Sequence, residues 1–176
     1  MLGIGSLFIG AFGALAQKDI KRFLAYASVS QMGVFLLGTS THSFLGLKSS
    51  FLHLLVYIVS SVAFFGLVIN TTSLVTGRNL YYISDFAGLS LYNKNLSNAL
   101  LISLFSMAGV PPLSGFFTKM LIFCNLSQVD FLFTDTLQFS FFSIISMLIL
   151  SLVTTFYYIE VIKQIFFETP RSNAFF

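Results

Sequence analysis

Apolar residues fill this chain in five long blocks, and polar residues cluster in the short stretches between them. The blocks are Met1–Ala16, Phe23–Thr39, Phe51–Val75, Ala99–Leu126 and Phe139–Phe167. Each predicts a helix, and about 20 apolar residues are what a helix needs to cross the hydrocarbon core of a bilayer. The first block is short and Gly-rich, marginal as a span by itself. The fourth is interrupted by Gly109-Val110-Pro111-Pro112-Leu113-Ser114-Gly115. Proline lacks the backbone donor that a helix interior requires, so this block predicts two half-helices and a break. The expected fold class is all-α: a polytopic membrane protein of about five transmembrane helices, one of them discontinuous, forming a single membrane domain over residues 1–176.

Composition reinforces the pattern. Hydrophobic residues make up 56% of the chain and charged residues 9%, against about 25% charged in a soluble domain. The single Cys124 lies in an apolar block, where it can form neither an internal disulfide nor a metal cluster. A net charge of +3 gives no reason to expect nucleic acid as a partner. Membrane lipids are expected around the chain. The N-terminal residues show neither the basic segment of a secretory signal nor an Arg-rich amphipathic leader, so the chain is expected to insert as it stands.

The placement of charge says more than its sum. Lys18, Lys21 and Arg22 follow the first block, Arg78 and Lys94 the third, and Lys163 and Arg171 lie at the end. The stretch after the second block carries only Lys48, and the stretch after the fourth only the acids Asp130 and Asp135. Basic residues collect in inward-facing loops. The expected topology therefore has the N-terminus outside, and the first loop, third loop and C-terminus inside. Within the long third loop, Tyr81, Tyr82 and Tyr92 suit a segment lying at the membrane surface. Asp19 is expected to neutralise part of the basic cluster beside it, and Glu160 and Lys163 to sit at the inner interface as a pair or an anchor.

Lys119 is the one charge inside an apolar block, eight residues after Pro111. A lysine at that depth costs roughly 2.5–3.5 kcal/mol on insertion scales and usually marks function. Snorkelling along its aliphatic stem is the competing reading. About seven residues remain to the end of the block, roughly 10 Å of helix, so Lys119 sits deeper than an anchor needs. Irregular backbone inside a membrane is tolerated only where protein or a water-filled cavity covers it. The break made by Gly109, Pro111, Pro112 and Gly115 therefore predicts a polar path beside Lys119. This chain supplies no carboxylate within the membrane near Lys119. A partner acid must come from another chain, or water and hydroxyls must carry the proton. In the third block, His53, Tyr57 and Ser61 recur at helical spacing, with Ser60 adjacent. That face fits interhelical hydrogen bonding better than water-ordering for proton transfer, and both readings stay open. No catalytic nucleophile, phosphate loop, metal cluster or redox-cofactor motif is present in the sequence.

Two stretches carry a family resemblance. Ala14–Gly38, ALAQKDIKRFLAYASVSQMGVFLLG, resembles the signature of the antiporter-like subunits of respiratory complex I. Ser106–Phe123, SMAGVPPLSGFFTKMLIF, resembles their broken helix with its lysine. VYIVSSVAFFGLV (Val56–Val68) and YYIEVIK (Tyr157–Lys163) fit the neighbouring helices, and the pattern is closest to the subunit 2 branch of the NADH dehydrogenase members. Subunit 5-like members would carry a lysine at Ser61, and subunit 4-like members a glutamate at Lys119. The resemblance covers nearly the whole chain but only the ninth to thirteenth of about fourteen family helices, the second of two inverted repeats.

The resemblance implies a membrane-arm subunit of proton-translocating NADH:ubiquinone oxidoreductase, in the mitochondrial inner membrane, contributing a proton half-channel. Lys119 would be its terminal proton carrier, and His53, Tyr57, Ser60 and Ser61 would line the path. NADH, FMN, iron–sulfur clusters and ubiquinone are expected in other subunits and no cofactor in this chain. Expected partners are the other membrane-arm subunits and a separate chain supplying the missing N-terminal helices; Met1 suits a separate gene product. Two rivals remain: a structural complex I subunit that no longer conducts, and a subunit of a cation/proton antiporter.

Overall fold

A computed structural model describes residues 1–75, 82–132 and 137–168. The helices are α1 (Leu2–Leu15), α2 (Ile20–Thr39), α3 (Phe44–Val75), α4 (Leu89–Tyr92), α5 (Lys94–Ala108), α6 (Ser114–Leu132) and α7 (Leu137–Phe167), with a 3₁₀ turn at Ile83–Phe86. Arg78, Tyr81, Asp135 and Arg171 lie outside the described residues, as do the side chains of Tyr92 and Asp130.

Helix α3 begins well before Phe51. Lys48, Ser49 and Ser50 read as loop, but the two serine hydroxyls donate back to Gly46 O at 2.9 and 2.7 Å. Ser43 Oγ accepts from Gly46 N at 2.9 Å, which satisfies an orphan donor of the first turn. Segments Phe44–Ile69 and Phe141–Phe167 are each long and apolar enough to cross a membrane, with mean hydropathies of 2.3 and 1.9. Asn93 starts α5 by accepting from Leu96 N at 3.2 Å.

Helices α1 and α2 pack as an antiparallel pair whose contact depends on a missing side chain. A methyl group on Gly10 would lie 2.7 Å from Ser30 Cα. Small residues bring membrane helices this close, where dispersion replaces the hydrophobic effect as the driving force. Gly10→Ala is expected to push α1 off α2 and destabilise the protein by about 1–3 kcal/mol, the usual cost of overpacking. A lower melting midpoint of the detergent-extracted protein would register it.

Two apolar clusters hold the bundle. One joins α1, α2, α6 and α7 through Leu7, Val34, Leu37, Ile122 and Met147. The other centres on Phe23, Phe64, Leu100, Leu104, Tyr157 and Tyr158. The Phe23 ring meets Tyr157 edge-on at 5.2 Å and Tyr158 at 5.8 Å, a geometry that aromatic quadrupoles favour. The outer face of α3 is apolar: Leu55, Ile58, Val59, Val62 and Ile69 are all exposed. In a membrane such a face meets lipid or another protein.

The loops that share basic charge meet at one end. Ile83 N donates to Lys18 O at 2.9 Å, tying the 3₁₀ turn to the α1–α2 turn. Asp19 pairs with Arg22 at 3.3 Å on the exposed surface, a contact worth little by itself. Among the described residues Glu160 and Lys163 form no ion pair with each other; both are exposed, and Glu160 is one of the residues lining a cavity of about 550 Å³ at this end.

Candidate functional site

The break in the fourth block sets the geometry of the site. Helix α5 ends at Gly109, whose φ of 80° is left-handed. Glycine adopts that conformation without the strain a Cβ brings. Gly109 N and Val110 N both bond back to Phe105 O, at 3.0 and 3.2 Å. The carbonyls of Met107 and Ala108 are thereby left without a helical partner, as at any helix C-terminus. Helix α6 restarts at Ser114, with Pro111 and Pro112 exposed between the halves. Gly115 presses against the Ser106 carbonyl, with no space there for a Cβ.

Lys119 closes this end. Its side chain runs across Gly109, where a Cβ would meet Cδ at 3.1 Å and Nζ at 3.2 Å. Nζ donates to Ala108 O at 2.9 Å and Met107 O at 3.3 Å. The C-terminal end of a helix carries partial negative charge, which suits a cation. Two further helices reach the same carbonyls. Gln31 Nε2 of α2 donates to Met107 O at 3.4 Å, and Thr155 Oγ1 of α7 donates to Ala108 O at 3.3 Å. The ammonium is thus held by helix carbonyls rather than by a carboxylate.

That arrangement suits proton exchange. An ammonium has three N–H donors and a neutral amine keeps two. The two carbonyls occupy two donors, so Lys119 can release its third proton without losing its seat.

His53, on α3, is 3% exposed. Its Nδ1 is 3.1 Å from Thr118 Oγ1, and that hydroxyl is 3.1 Å from Gly115 O. With the hydroxyl donating to Gly115 O, Nδ1 must carry the imidazole proton and Nε2 is a bare acceptor, buried without a protein partner among the described residues. His53 is near enough to Lys119 for the two to repel when both are charged.

The remaining residues of the His53 face divide. Ser60 Oγ bonds to Ser106 Oγ at 2.9 Å, joining α3 to α5 above the break. The Tyr57 hydroxyl lies against Ser28. Ser61 turns away and donates only to Ile58 O at 3.0 Å. Helical spacing explains the correction: at 100° per residue, a position seven on from His53 is about 20° off its face and one eight on about 80° off. Ser60→Ala is expected to destabilise by about 0.6–1.7 kcal/mol, the range for hydrogen bonds between membrane helices. A double-mutant cycle with Ser106→Ala should recover a coupling of similar size.

Sequence reasoning missed Gln31, Ser106, Thr118 and Thr155. Gln31 had a signal, as the one amide inside the second block.

Residues 1–149 match the family model described as the transmembrane region of NADH:quinone oxidoreductase and Mrp antiporters. The chain belongs to this NADH:quinone oxidoreductase/Mrp antiporter family. It is 36% identical over 174 residues to NADH-quinone oxidoreductase subunit N of Pelagibacter ubique, covering 98% of this chain and 34% of the relative. It is 35% identical to subunit N 1 of Rhizobium meliloti, with 98% of this chain and 34% of the relative covered. The chain therefore spans about a third of the length of these relatives. Among solved structures, respiratory complex I of Thermus thermophilus with bound aureothin contains a similar chain, with a TM-score of 0.75, 26% identity, and 98% of this chain and 36% of that one covered. The Mrp complex of a Dietzia species matches in fold, with a TM-score of 0.81 at 24% identity, over 96% of this chain and 29% of its own. The all-α membrane fold expected from the hydrophobic pattern, in the antiporter-like form that the resemblance implied, is the fold of these structures.

Proposed function

We propose that this chain is a membrane-arm component of a proton-translocating NADH:quinone oxidoreductase, and that it contributes one proton half-channel centred on Lys119. One observation carries the reading: a lysine inside the apolar bundle, bound to the freed carbonyls of a broken helix, with no carboxylate partner among the described residues. Within the half-channel, Lys119 holds and releases the proton. Gly109, Pro111, Pro112 and Gly115 keep the break open. His53 and Ser60 line the path beside it, Tyr57 lies further along the same helix, and Ser61 is peripheral. The chain crosses the membrane five times as one domain, N-terminus outside and C-terminus inside. The loop charges support that orientation. The subunit 2 pattern favours the mitochondrial inner membrane, while the relatives named above are bacterial.

The relatives' remaining helices lie outside this sequence, which spans about a third of their length. Redox groups stay in other subunits. Mass spectrometry of the native complex, paired with in-gel NADH oxidation, tests this assembly. Co-migration of this chain with NADH activity is the expected result. Co-migration with NADH activity, with a proton-to-NADH ratio that Lys119→Met leaves unchanged, favours a purely structural subunit. A complex lacking NADH activity, with sodium-dependent transport, favours the cation/proton antiporter reading that the Dietzia fold match keeps in view.

A further inference from the structure

The Pro-Pro pair does more than interrupt a helix: it strips two carbonyls of their donors. In an α-helix the carbonyl of residue i accepts from the N–H of residue i+4. For Met107 and Ala108 those residues are Pro111 and Pro112, and proline has no N–H. A tighter turn gives no relief. The i+3 residue of Ala108 is Pro111 again, and Val110 N, the i+3 donor of Met107, is committed to Phe105 O at 3.2 Å. Met107 and Ala108 are 3% and 2% exposed, and a buried carbonyl left without a donor is costly. Side chains supply the donors instead. Met107 O takes Lys119 Nζ and Gln31 Nε2, at 3.3 and 3.4 Å. Ala108 O takes Lys119 Nζ at 2.9 Å and has Thr155 Oγ1 within 3.3 Å.

Thr155 differs from the other donors. Its hydroxyl has one hydrogen and two acceptors in reach, Ala108 O and, on its own helix, Ser151 O at 2.9 Å. It donates to one at a time. The Ser151 distance is nearer the usual O–H···O length, so the hydrogen rests there while the lysine ammonium holds Ala108 O.

We propose that Thr155 is a stand-in donor for Lys119: its hydroxyl turns from Ser151 O to Ala108 O whenever the lysine ceases to hold that carbonyl as a cation. The inference rests on the reading of Lys119 as the group that gives up its proton, and deepens it. A charged donor makes a hydrogen bond about twice as strong as a neutral one, so proton loss weakens the hold on Ala108 O. Rotation of one hydroxyl makes up the difference without moving a helix. Ser151 O keeps its place in the backbone ladder of α7 throughout. Thr155 passes on no proton; it only re-aims its own hydrogen. It is a positioning residue that keeps the carbonyl seat satisfied in both charge states of Lys119, so that neither state is trapped.

The experiment is a double-mutant cycle in the assembled, detergent-extracted complex, read by the rate of limited proteolysis of this chain, which follows the population of its opened form. Thr155→Val removes the hydroxyl and keeps the shape. With Lys119 present it is expected to change the rate only slightly, because the ammonium still holds Ala108 O. Combined with Lys119→Met it leaves Ala108 O without a side-chain donor, and the rate is expected to exceed the product of the two single effects by roughly 5- to 150-fold, the cost of one unsatisfied buried group. Thr155→Ser keeps the hydroxyl and is expected to behave as threonine in both backgrounds. Single effects that merely multiply, or a serine that fails to rescue, overturn the stand-in role. If Lys119→Met with Thr155→Val does not assemble, assembly of Lys119→Met with Thr155→Ser supports the role, and failure of both overturns it. Protons moved per NADH in sealed vesicles are expected to fall in Thr155→Val and to recover in Thr155→Ser. A normal ratio in Thr155→Val beside a lowered one in Lys119→Met overturns the stand-in and leaves the channel reading in place. A normal ratio in Lys119→Met removes the channel reading, and with it the proton loss to which the stand-in responds.

Discussion

Lys119→Met is expected to assemble into its complex and to lose the protons that this unit moves for each NADH oxidised. The substitution keeps the length of the aliphatic stem that crosses Gly109 and removes both hydrogen bonds to the Met107 and Ala108 carbonyls. A hydrogen bond from a charged donor contributes about 1.5–3 kcal/mol, so a measurable loss of stability follows. Gln31 and Thr155 still reach the same two carbonyls, which limits it. Against that loss stands the relief of no longer burying a cation, roughly 2.5–3.5 kcal/mol at membrane depth. The two are of similar size, so assembly survives while the exchangeable proton is gone. Blue-native electrophoresis together with the proton-to-NADH ratio separates the two effects. A variant that assembles normally and pumps normally would make the chain a structural subunit.

Gly115→Val is expected to prevent stable folding of the break. The glycine lies directly on the Ser106 carbonyl, and backbone cannot yield as a flexible side chain does. Overpacking of this kind costs about 1–3 kcal/mol, and two branched methyls place the effect at the upper end or beyond. Moving α6 away from α5 also pulls Lys119 off the Ala108 and Met107 carbonyls. The assembled complex should fall in abundance, and the residue that assembles should show a reduced proton ratio. Full assembly with unchanged pumping would mean that the break tolerates a different geometry. Gly109→Ala is expected to act in the same direction through its φ of 80° and the Lys119 stem across it.

How far the sequence carries follows from particular residues. The break at Gly109–Gly115 was legible because Pro-Pro flanked by glycines in an apolar block has few other readings. Lys119 stood out because nothing else charged shares its block. The start of α3 was not legible. Ser49 and Ser50 look like loop residues until their hydroxyls are seen to fold back on Gly46 O. Ser61 looked like a partner of His53 because counting by fours ignores the drift of a 3.6-residue turn. Ser60, its neighbour, is the residue aligned with His53, and it reaches Ser106 across the bundle. Thr155 was hidden for another reason: its role depends on a carbonyl from a distant helix, and no local pattern announces a backbone acceptor. Gln31 showed only as the one amide in its block.

The most direct test of a titrating Lys119 is the proton-to-NADH ratio of the complex carrying Lys119→Arg. A guanidinium keeps the positive charge and the donors for Met107 and Ala108, but it does not release its proton in a protein. The expected result is an assembled complex whose ratio falls as far as that of Lys119→Met. An unchanged ratio in Lys119→Arg would contradict the claim that Lys119 carries the proton, because a fixed charge would then serve as well as a titrating one.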